Sequence, residues 1–333
     1  MRIKLCLILL MIFTACSEKR HEDPYIITVN GVQEISDTLT WLSHEHILVD
    51  FIGADSIDTQ DWDHDEVMDS ILPFLEEIKK LGVDIFVDAT PQYLGRDVLL
   101  LKKLSKATGL RIITNTGLYG AVNDKYVPSF AFDRSSKELA DTWIEEFEES
   151  IEGTGIYPGF IKVSVDNNDT LDPIDKKIIE AAGITSLTTG MTIASHTGHS
   201  RALWSQLDVL ESLEVPMDQF IWVHAQNETD NNIYLKAAEK GCWISLDGLG
   251  WELEQHLSKI QFAKENDILD HILISHDAGW FDPQKDTQDI KPYSAIFKNL
   301  KSLLLENGFT ENEWRQLMII NPAKAFSING TTH

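Results

Sequence analysis

Two histidines separated by one residue, His44 and His46, follow a short apolar run near the start of the chain. On a β-strand, side chains two residues apart point to the same face, so this pair would present two imidazole rings side by side. Neutral imidazole is a common metal ligand, and the spacing suits one metal ion. Taken alone, the pair also fits two half-buried polar residues at a strand end.

More residues of metal-ligand type follow, each in or just after a later apolar run. They are Lys162, His196, His224 and Asp277. Lys162 needs an explanation, because an unpaired ammonium group inside an apolar strand is costly. Each residue alone can be a capping or hydrogen-bonded group. Their order along the chain, one per run, predicts a shared site.

The elements that must position these residues alternate along the whole chain. Eight strand-like runs cover residues 39–44, 84–89, 111–116, 159–165, 192–196, 220–224, 242–246 and 272–275. Amphipathic segments lie between them, including residues 65–81, 136–152 and 231–240. Eight β-then-α units in about 290 residues predict an α/β protein with a single (β/α)8 TIM barrel. A short β-hairpin, residues 25–35, should precede it, with Asn30-Gly31 as a type I′ turn.

A barrel explains why the ligand-type residues recur. The carboxyl ends of all eight strands meet at one mouth, so residues ending strands one, five, six and eight, with Lys162 on strand four, would converge there. The main alternative is a doubly wound open sheet. That fold needs a glycine-rich phosphate turn, and Gly117 and Gly120 after the third run are too sparse for one.

The N-terminus has the pattern of a secretory signal. Arg2 and Lys4 precede an apolar run that is too short to cross a bilayer, and small residues then lead to Cys16. The segment resembles a bacterial lipobox, although Phe13 replaces the usual aliphatic residue. The alternative is a buried N-terminal helix of the domain.

We therefore expect a lipoprotein signal peptide at residues 1–15, an acylated Cys16 with a polar tether at 16–24, and the barrel domain with its predicted metal site at 25–330. Acyl chains would anchor an exported bacterial lipoprotein in the cell envelope, in the periplasm or at the outer membrane.

Composition limits the partners of the chain. Removing residues 1–15 takes away two basic and no acidic residues, so the formal net charge moves from −25 to −27. Such an acidic surface disfavours nucleic acid and anionic lipid, which leaves the N-terminal lipid as the expected membrane contact. Beyond Cys16, the remaining cysteine is Cys242, so an intramolecular disulfide is not expected to stabilise the fold.

Several motifs resemble the phosphotriesterase-like branch of the amidohydrolase superfamily over essentially the whole mature chain. They are the His44-Glu45-His46 segment, Val87-Asp88-Ala89-Thr90, Leu94-Gly95-Arg96-Asp97, Asn115-Thr116-Gly117-Leu118-Tyr119, Phe160-Ile161-Lys162-Val163, the histidines of strands five and six, Ser275-His276-Asp277 and Asn321-Pro322-Ala323. The resemblance implies two divalent metal ions per chain. It places His44, His46 and Asp277 on the more buried ion, and His196 and His224 on the more exposed one.

The resemblance also implies that Lys162 is modified to N6-carboxylysine and bridges the two ions, which would explain a buried lysine. Zinc is the expected metal, with manganese, cobalt or iron as alternatives. Two such ions can share one water, lower its pKa and polarise a carbonyl or phosphoryl oxygen. Asp277 is then the candidate for taking the proton from the bridging hydroxide.

Departures from the family pattern bear on the substrate. Gly248 occupies a position at which similar phosphotriesterases share a histidine and many similar lactonases have an arginine. Gln226 lies in a stretch where phosphotriesterases carry the aspartate of a proton relay. Both changes favour a carboxylic ester, above all a lactone, over a phosphotriester. A sugar lactone, an acyl-homoserine lactone and a simple ester remain open.

The expected substrate contacts are Tyr119 and the aromatic residues Trp251 and Trp280. In similar lactonases the tyrosine points its hydroxyl at the metals; the alternative is an aromatic ring that only packs over the barrel mouth. Lys285 and Lys291 could attract an anionic group. The alternative is a structured lid with solvated lysines. His276 and His199 are interpreted as supporting residues. Two other functions remain open: a phosphoester or phosphotriester hydrolase, and a non-catalytic lipid-anchored binding protein on the same barrel. A homodimer is a further expectation from similar proteins.

Overall fold

The computed structural model describes residues 23–250 and 252–329. A two-stranded antiparallel hairpin, β1 (Tyr25–Thr28) and β2 (Gly31–Glu34), opens this part of the chain. The barrel strands are β3 (Trp41–Glu45), β4 (Ile85–Asp88), β5 (Arg111–Ile113), β6 (Asn115–Thr116), β7 (Phe160–Ser164), β8 (Ile193–His196), β9 (Phe220–Val223), β10 (Trp243–Leu246) and β11 (Ile272–Ile274). Each of the eight predicted runs overlaps a strand, and the third run contains two.

The barrel strands form two sheets, and within each sheet sequence-neighbouring strands pair in parallel. The order β3-β4-β5 forms one sheet, and β6 to β11 form the second in sequence order. The third barrel strand is divided at Thr114, so β5 continues the first sheet and β6 begins the second. The first and last strands meet through hydrogen bonds from the His44 N–H to Ser275 Oγ, 3.0 Å, and from the Asp277 N–H to the His44 carbonyl, 3.1 Å. The predicted TIM barrel is therefore confirmed.

Helices form the outer layer. The α-helices are α1 (His64–Lys80), α2 (Val98–Thr108), α3 (Phe130–Asp133), α4 (Ser136–Glu149), α5 (Pro173–Thr189), α6 (Ser200–Ser212), α7 (Asn232–Lys240), α8 (Leu253–Glu265), α9 (Lys301–Glu306), α10 (Glu311–Arg315) and α11 (Asn321–Ala325). Single π-helical turns, Ile296–Leu300 and Gln316–Ile320, precede α9 and α11. Short 3-10 turns are Thr59–Asp61, Ile151–Gly153, Met217–Gln219, Ala225–Asn227 and Leu269–His271.

The helices begin and end where the side chains favour it. Asp63 caps α1, Asp97 caps α2 and Asp172 caps α5, each by accepting backbone N–H groups of the first turn. Gly109 ends α2 in a left-handed conformation with φ +72°. The three segments predicted as helices correspond to α1, α4 and α7.

The barrel interior is filled by side chains from its strands and from the C-terminal segment. Phe326 closes the end opposite the strand carboxyl termini, stacking on Trp41 at a ring-centroid distance of 6.1 Å and meeting Phe160 edge-on at 5.4 Å. Apolar side chains between the strands and the outer helices form the larger part of the core. A closed, packed lower half leaves the mouth as the place for chemistry.

One local expectation is wrong. The hairpin forms, but its register pairs Thr28 with Gly31, so the two loop residues are Val29 and Asn30. Neither has a positive φ, whereas Gly31 has φ +109°. A type I′ turn needs positive φ at both central residues, so the connection is a different turn, followed by a left-handed glycine.

In the described part of the chain no helix is both long and apolar enough to cross a membrane. The predicted signal peptide, Cys16 and most of the predicted tether lie outside the described residues.

Candidate metal centre

The histidines of the first strand converge on the carboxylate that follows the last strand. His46 Nε2 lies 3.0 Å and His44 Nε2 lies 3.5 Å from Asp277 Oδ1. The two imidazole rings are 5.4 Å apart between centroids. His46 is oriented from its other side by Thr90, with 2.7 Å between Nδ1 and Oγ1. Three ligand-type atoms from opposite ends of the chain therefore share one small volume.

The histidines of strands five and six extend this group. The His224 ring lies 5.3 Å from that of His44 and 4.3 Å from that of His196. The ligand atoms of His44, His224 and Asp277 lie within 4.8 Å of one another, which is close enough for a shared metal ion. His224 and Asp277 adopt left-handed backbone conformations, with φ of +61° and +52°. Such strained residues are typical of functional sites.

Lys162 lies on β7 at the base of this group and is 1% exposed. Its Nζ has no hydrogen-bond partner. Burial lowers the pKa of the Lys162 amine to about 8, against the opposing influence of the Asp277, Asp247 and Asp88 carboxylates. An unpartnered buried amine that loses its proton so readily is available for covalent modification.

Asp247, which follows β10, was missed by the sequence analysis and holds two histidines at once. Its Oδ1 lies 2.7 Å from His224 Nδ1, and its Oδ2 lies 3.4 Å from His44 Nδ1 and accepts the His224 backbone N–H at 3.1 Å. Gln226 also donates its amide to Oδ1, at 3.0 Å. A carboxylate behind a ligating histidine fixes its tautomer and ring direction. In the sequence, the one feature that drew attention to Asp247 was its position directly before Gly248.

Glu45, between the two histidines of the first strand, was also missed. Its carboxylate is fully buried and accepts hydrogen bonds from Ser275 Oγ, His276 N, His276 Nδ1 and Ala278 N. His276 Nε2 in turn accepts the Ile296 backbone N–H, so both ring nitrogens are occupied within the protein. The residues on both sides of Asp277 are thereby fixed to the first strand.

The environment of the site lowers the pKa values of both His44 and Asp277. Burial and the Lys162 charge lower the pKa of His44 to about 4, although Asp247 and Asp277 raise it. Burial alone would raise the pKa of Asp277, but the nearby histidines, His224 first, lower it well below its usual range. The site therefore offers neutral His44 and ionised Asp277 near neutral pH, the forms that ligate metal.

Comparison with known proteins identifies the family. The sequence model described as "Phosphotriesterase family" matches residues 24–326. The chain belongs to the phosphotriesterase family. It is thus a hydrolase of a family that acts on small molecules and whose members are binuclear metal enzymes.

Named relatives within this family differ in activity. An aryldialkylphosphatase of Saccharolobus solfataricus is 30% identical over 305 residues, covering 86% of this chain and 94% of the relative. The human N-acetyltaurine hydrolase is 25% identical, covering 73% of each chain. A solved mutant organophosphorus hydrolase of Deinococcus radiodurans superposes with a TM-score of 0.82 at 25% identity, covering 92% of this chain and 98% of that one. The family is shared, whereas the reactions named are several.

Two of the three predicted substrate contacts of this phosphotriesterase-family chain lie beside the site. The Tyr119 hydroxyl is 2.9 Å from His196 Nδ1, and burial raises the Tyr119 pKa well above its usual value, so the phenol keeps its proton. The Trp280 ring lies 6.1 Å from that of His46, and Tyr126 packs edge-on against Tyr119. Trp251 lies outside the described residues. The two lysines expected to attract anions face acids, Lys285 near Asp282 at 3.2 Å and Lys291 near Asp289 at 3.4 Å.

Gly248, the position at which the sequence analysis expected a departure from the family pattern, is closely packed. A Cβ atom on Gly248 would lie 2.9 Å from Gln226 Nε2 and 3.2 Å from His256 Cε1. The Gly248 N–H donates to His256 Nε2, while His256 Nδ1 donates to the Glu252 carbonyl. A larger residue at position 248 would displace Gln226 from Asp247.

Proposed function

We propose that the chain is a binuclear-metal-dependent hydrolase of carboxylic esters, with a lactone as the expected substrate. The observation that carries the proposal is Lys162, a buried lysine whose Nζ has no hydrogen-bond partner, although three carboxylates lie near enough to raise its pKa. Without modification this amine is an energetic cost. With a carboxyl group on Nζ it becomes an oxygen ligand.

The donor set fits two divalent ions. His44, His46 and Asp277 would hold one ion, His196 and His224 the other, and carboxylated Lys162 would lie between them. Imidazole nitrogen and carboxylate oxygen suit zinc, and equally manganese, cobalt or iron. When bound, the ions supply Lewis acidity and a water of lowered pKa.

The modification itself follows from the state of Lys162. A neutral amine attacks the carbon of carbon dioxide, forms an N–C bond and releases one proton, which gives a carbamate. The lowered pKa of about 8 leaves part of the amine neutral at pH 7. Burial then protects the product from water.

The remaining residues would orient and move protons. Asp277 Oδ1 is the acceptor that can take a proton from the attacking water and pass it to the leaving oxygen. Asp247 would keep His44 and His224 in position, and Glu45 would keep Asp277 in position. Tyr119 would donate its hydroxyl to a substrate oxygen beside His196.

Substrate choice rests on the packing around Gly248. With no side chain there and Gln226 bound to Asp247, the histidine–aspartate relay of phosphotriesterases has no counterpart at these two positions. An ester or lactone, whose alkoxide leaving group can take the proton of Asp277, fits this arrangement. Phosphotriester hydrolysis is the second candidate, because the names of the aryldialkylphosphatase and organophosphorus hydrolase relatives favour it.

Metal analysis tests the centre. We expect about two divalent ions per purified chain when zinc and bicarbonate are supplied, and a loss of at least half of them in Lys162→Ala. A short carboxylic acid added to Lys162→Ala should restore part of the metal and activity, because it can occupy the vacated space. Lys106→Ala, on the exposed face of α2, serves as the matched control. A wild type without bound metal under these conditions would refute the proposal.

A substrate panel tests the reaction. Lactones, an aryl ester, a chromogenic phosphotriester and N-acetyltaurine should be compared by kcat/KM on the metal-loaded protein. We expect the highest values for a lactone or ester. A phosphotriester turned over faster than every ester would establish the second candidate. Loaded protein that cleaves none of them would favour the non-catalytic binding protein.

We also propose that the chain is exported and anchored through an acylated Cys16. Mass spectrometry of the protein from bacterial membranes should find a diacyl or triacyl group on Cys16 and no residues 1–15. Cys16→Ser should release the protein from the membrane fraction. A mature protein that begins at Met1 would contradict this proposal.

A further inference from the structure

Four aspartates from two neighbouring loops and the start of α5 meet away from the predicted metal centre. Asp124 follows β6, Asp166 and Asp172 lie between β7 and α5, and Asp175 is in the first turn of α5. Carboxylate oxygens of Asp124, Asp172 and Asp175 lie within 4.8 Å of one another. Asp175 is 1% exposed. The cluster therefore gathers negative charge around a buried carboxylate.

One buried oxygen in this cluster has no partner. Asp175 Oδ2 accepts the Asp166 backbone N–H at 2.9 Å, but Asp175 Oδ1 is inaccessible to solvent and makes no hydrogen bond. Asp124 Oδ1 is in the same situation. A carboxylate oxygen that is buried without a donor costs more free energy than a neutral polar atom in the same place, because the charge loses its hydration. Both oxygens need an electropositive partner.

The described residues supply no cationic side chain to pair with these carboxylates. Within residues 23–250 and 252–329, no lysine, arginine or histidine forms an ion pair with any of the four aspartates. Burial, followed by the charges of Asp172, Asp166 and Asp124, raises the pKa of Asp175 to about 7. Burial and its acidic neighbours also raise the pKa of Asp124. Above pH 7 Asp175 therefore loses its proton, and no cationic side chain of the described residues balances the negative charge of the cluster.

We propose that Asp124, Asp172 and Asp175 bind a divalent cation, and that the ion is Ca²⁺. The donors are all carboxylate oxygens, which hard cations prefer, and the grouping includes no histidine or cysteine that would select zinc. Ligands from two loops and the first turn of a helix suit the variable coordination of Ca²⁺ better than the strict octahedron of Mg²⁺. This proposal does not depend on the hydrolase reaction.

The ion would join the loop that carries Tyr119 to the start of α5. That loop already contacts the end of β7, where Ser164 accepts the N–H groups of Gly120 and Ala121. Asp166 accepts the N–H groups of Val122 and Asn123. A cation bound by Asp124, Asp172 and Asp175 would add a further link to these hydrogen bonds and would fix the loop from Tyr119 to Asp124. We therefore expect Ca²⁺ to slow hydrogen exchange of the amides at residues 117–127.

Asparagine substitutions test the site without disturbing the backbone. Asparagine can cap α5 in place of Asp172, whose Oδ1 accepts the Ile174 and Asp175 N–H groups. Asparagine also tolerates the left-handed conformation of Asp124, φ +61°. Asp169→Asn is the matched control, because Asp169 lies in the same loop with its side chain 81% exposed.

The measurements use the purified full chain loaded with zinc. CaCl₂ binding by calorimetry, and TbCl₃ luminescence excited through tyrosine and tryptophan and displaced by Ca²⁺, should both report one site. We expect about tenfold or greater weakening in Asp124→Asn and Asp172→Asn, and less than about twofold change in Asp169→Asn. Saturating Ca²⁺ at pH 8 should raise the wild-type melting temperature by about 2–4 °C, and should slow the amide exchange described above.

The competing explanation is a proton shared by Asp175 and Asp124. A carboxyl pKa raised to about 7 means that the folded protein binds more protons than the unfolded chain between pH 4 and 7, so stability rises as the pH falls through this range. If acid stabilises the protein while Ca²⁺ changes neither melting nor luminescence, the shared proton is correct and the calcium proposal is overturned. Equal Tb³⁺ binding by all three variants and wild type also overturns it.

Discussion

Replacing Glu45 by glutamine should weaken the hydrogen bonds that hold the residues on both sides of Asp277, without removing a predicted metal ligand. The Glu45 carboxylate accepts four hydrogen bonds, three on Oε1, from Ser275 Oγ at 2.8 Å, His276 N at 3.0 Å and His276 Nδ1 at 2.7 Å, and one on Oε2, from Ala278 N at 3.1 Å. An amide offers only one acceptor oxygen, so at least one donor must lose its partner.

The cost can be worked from these contacts. In the better orientation the glutamine oxygen keeps the three bonds of Oε1, and its NH₂ group faces the Ala278 N–H. One buried donor without a partner costs about 1–3 kcal/mol, and each retained bond loses about 1 kcal/mol when its acceptor becomes neutral. We therefore expect Glu45→Gln to lower the free energy of unfolding by about 4–6 kcal/mol, a large share of the stability of an ordinary domain.

Urea unfolding followed by circular dichroism at pH 7 measures this change. Glu148→Gln, on the exposed face of α4, is the control and should stay within about 0.5 kcal/mol of wild type. Bound metal should fall in Glu45→Gln because the residues on both sides of Asp277 lose their attachment. A Glu45→Gln protein within about 1 kcal/mol of wild type, with its metal intact, would refute the reasoning.

Three further expectations follow from other parts of the structure. Asp247→Asn should weaken metal binding by about 10- to 100-fold in a chelator competition, because His224 and His44 lose the carboxylate that orients them; unchanged affinity would contradict this role. Phe326→Ala should cost about 3–5 kcal/mol in urea unfolding because it empties the closed end of the barrel, whereas a cost below about 1 kcal/mol would show that the end repacks. Burial raises the pKa of Glu228, but the Asp230, Ser200 and Thr229 N–H groups outweigh it and lower the pKa to about 2. Its ionised form therefore stabilises the fold above the unfolded pKa, and the stability deficit of Glu228→Gln at pH 7 should shrink as the pH falls from about 4 to 2; a deficit independent of pH would be inconsistent.

The barrel could be predicted because its strands are short, apolar on both faces and separated by amphipathic helices. The ligand-type residues stood out for a related reason, since polar groups such as His224 or Lys162 are conspicuous in or beside buried runs. Parallel barrel strands end at one mouth, so position along the strand was enough to bring such residues together.

The supporting contacts had no comparable signal. Glu45 and Ser275 are 230 positions apart, and no sequence pattern in either segment predicts the hydrogen bond between them. Asp247 looked like an ordinary residue after a strand until its two histidines were placed beside it. The hairpin turn was misjudged because Asn-Gly is compatible with more than one register, and the strand pairing decides between them.

The bond between His44 and Ser275 joins positions 231 residues apart. During synthesis on a ribosome, the first barrel strand therefore remains an open edge until nearly the whole chain has emerged. Contacts of such long sequence separation form late and slowly, and an exposed strand edge invites pairing with other chains. The histidines of the predicted metal centre are made early, but its aspartate arrives last. Completion of the barrel and assembly of that centre are thus the same event in the folding of the nascent chain.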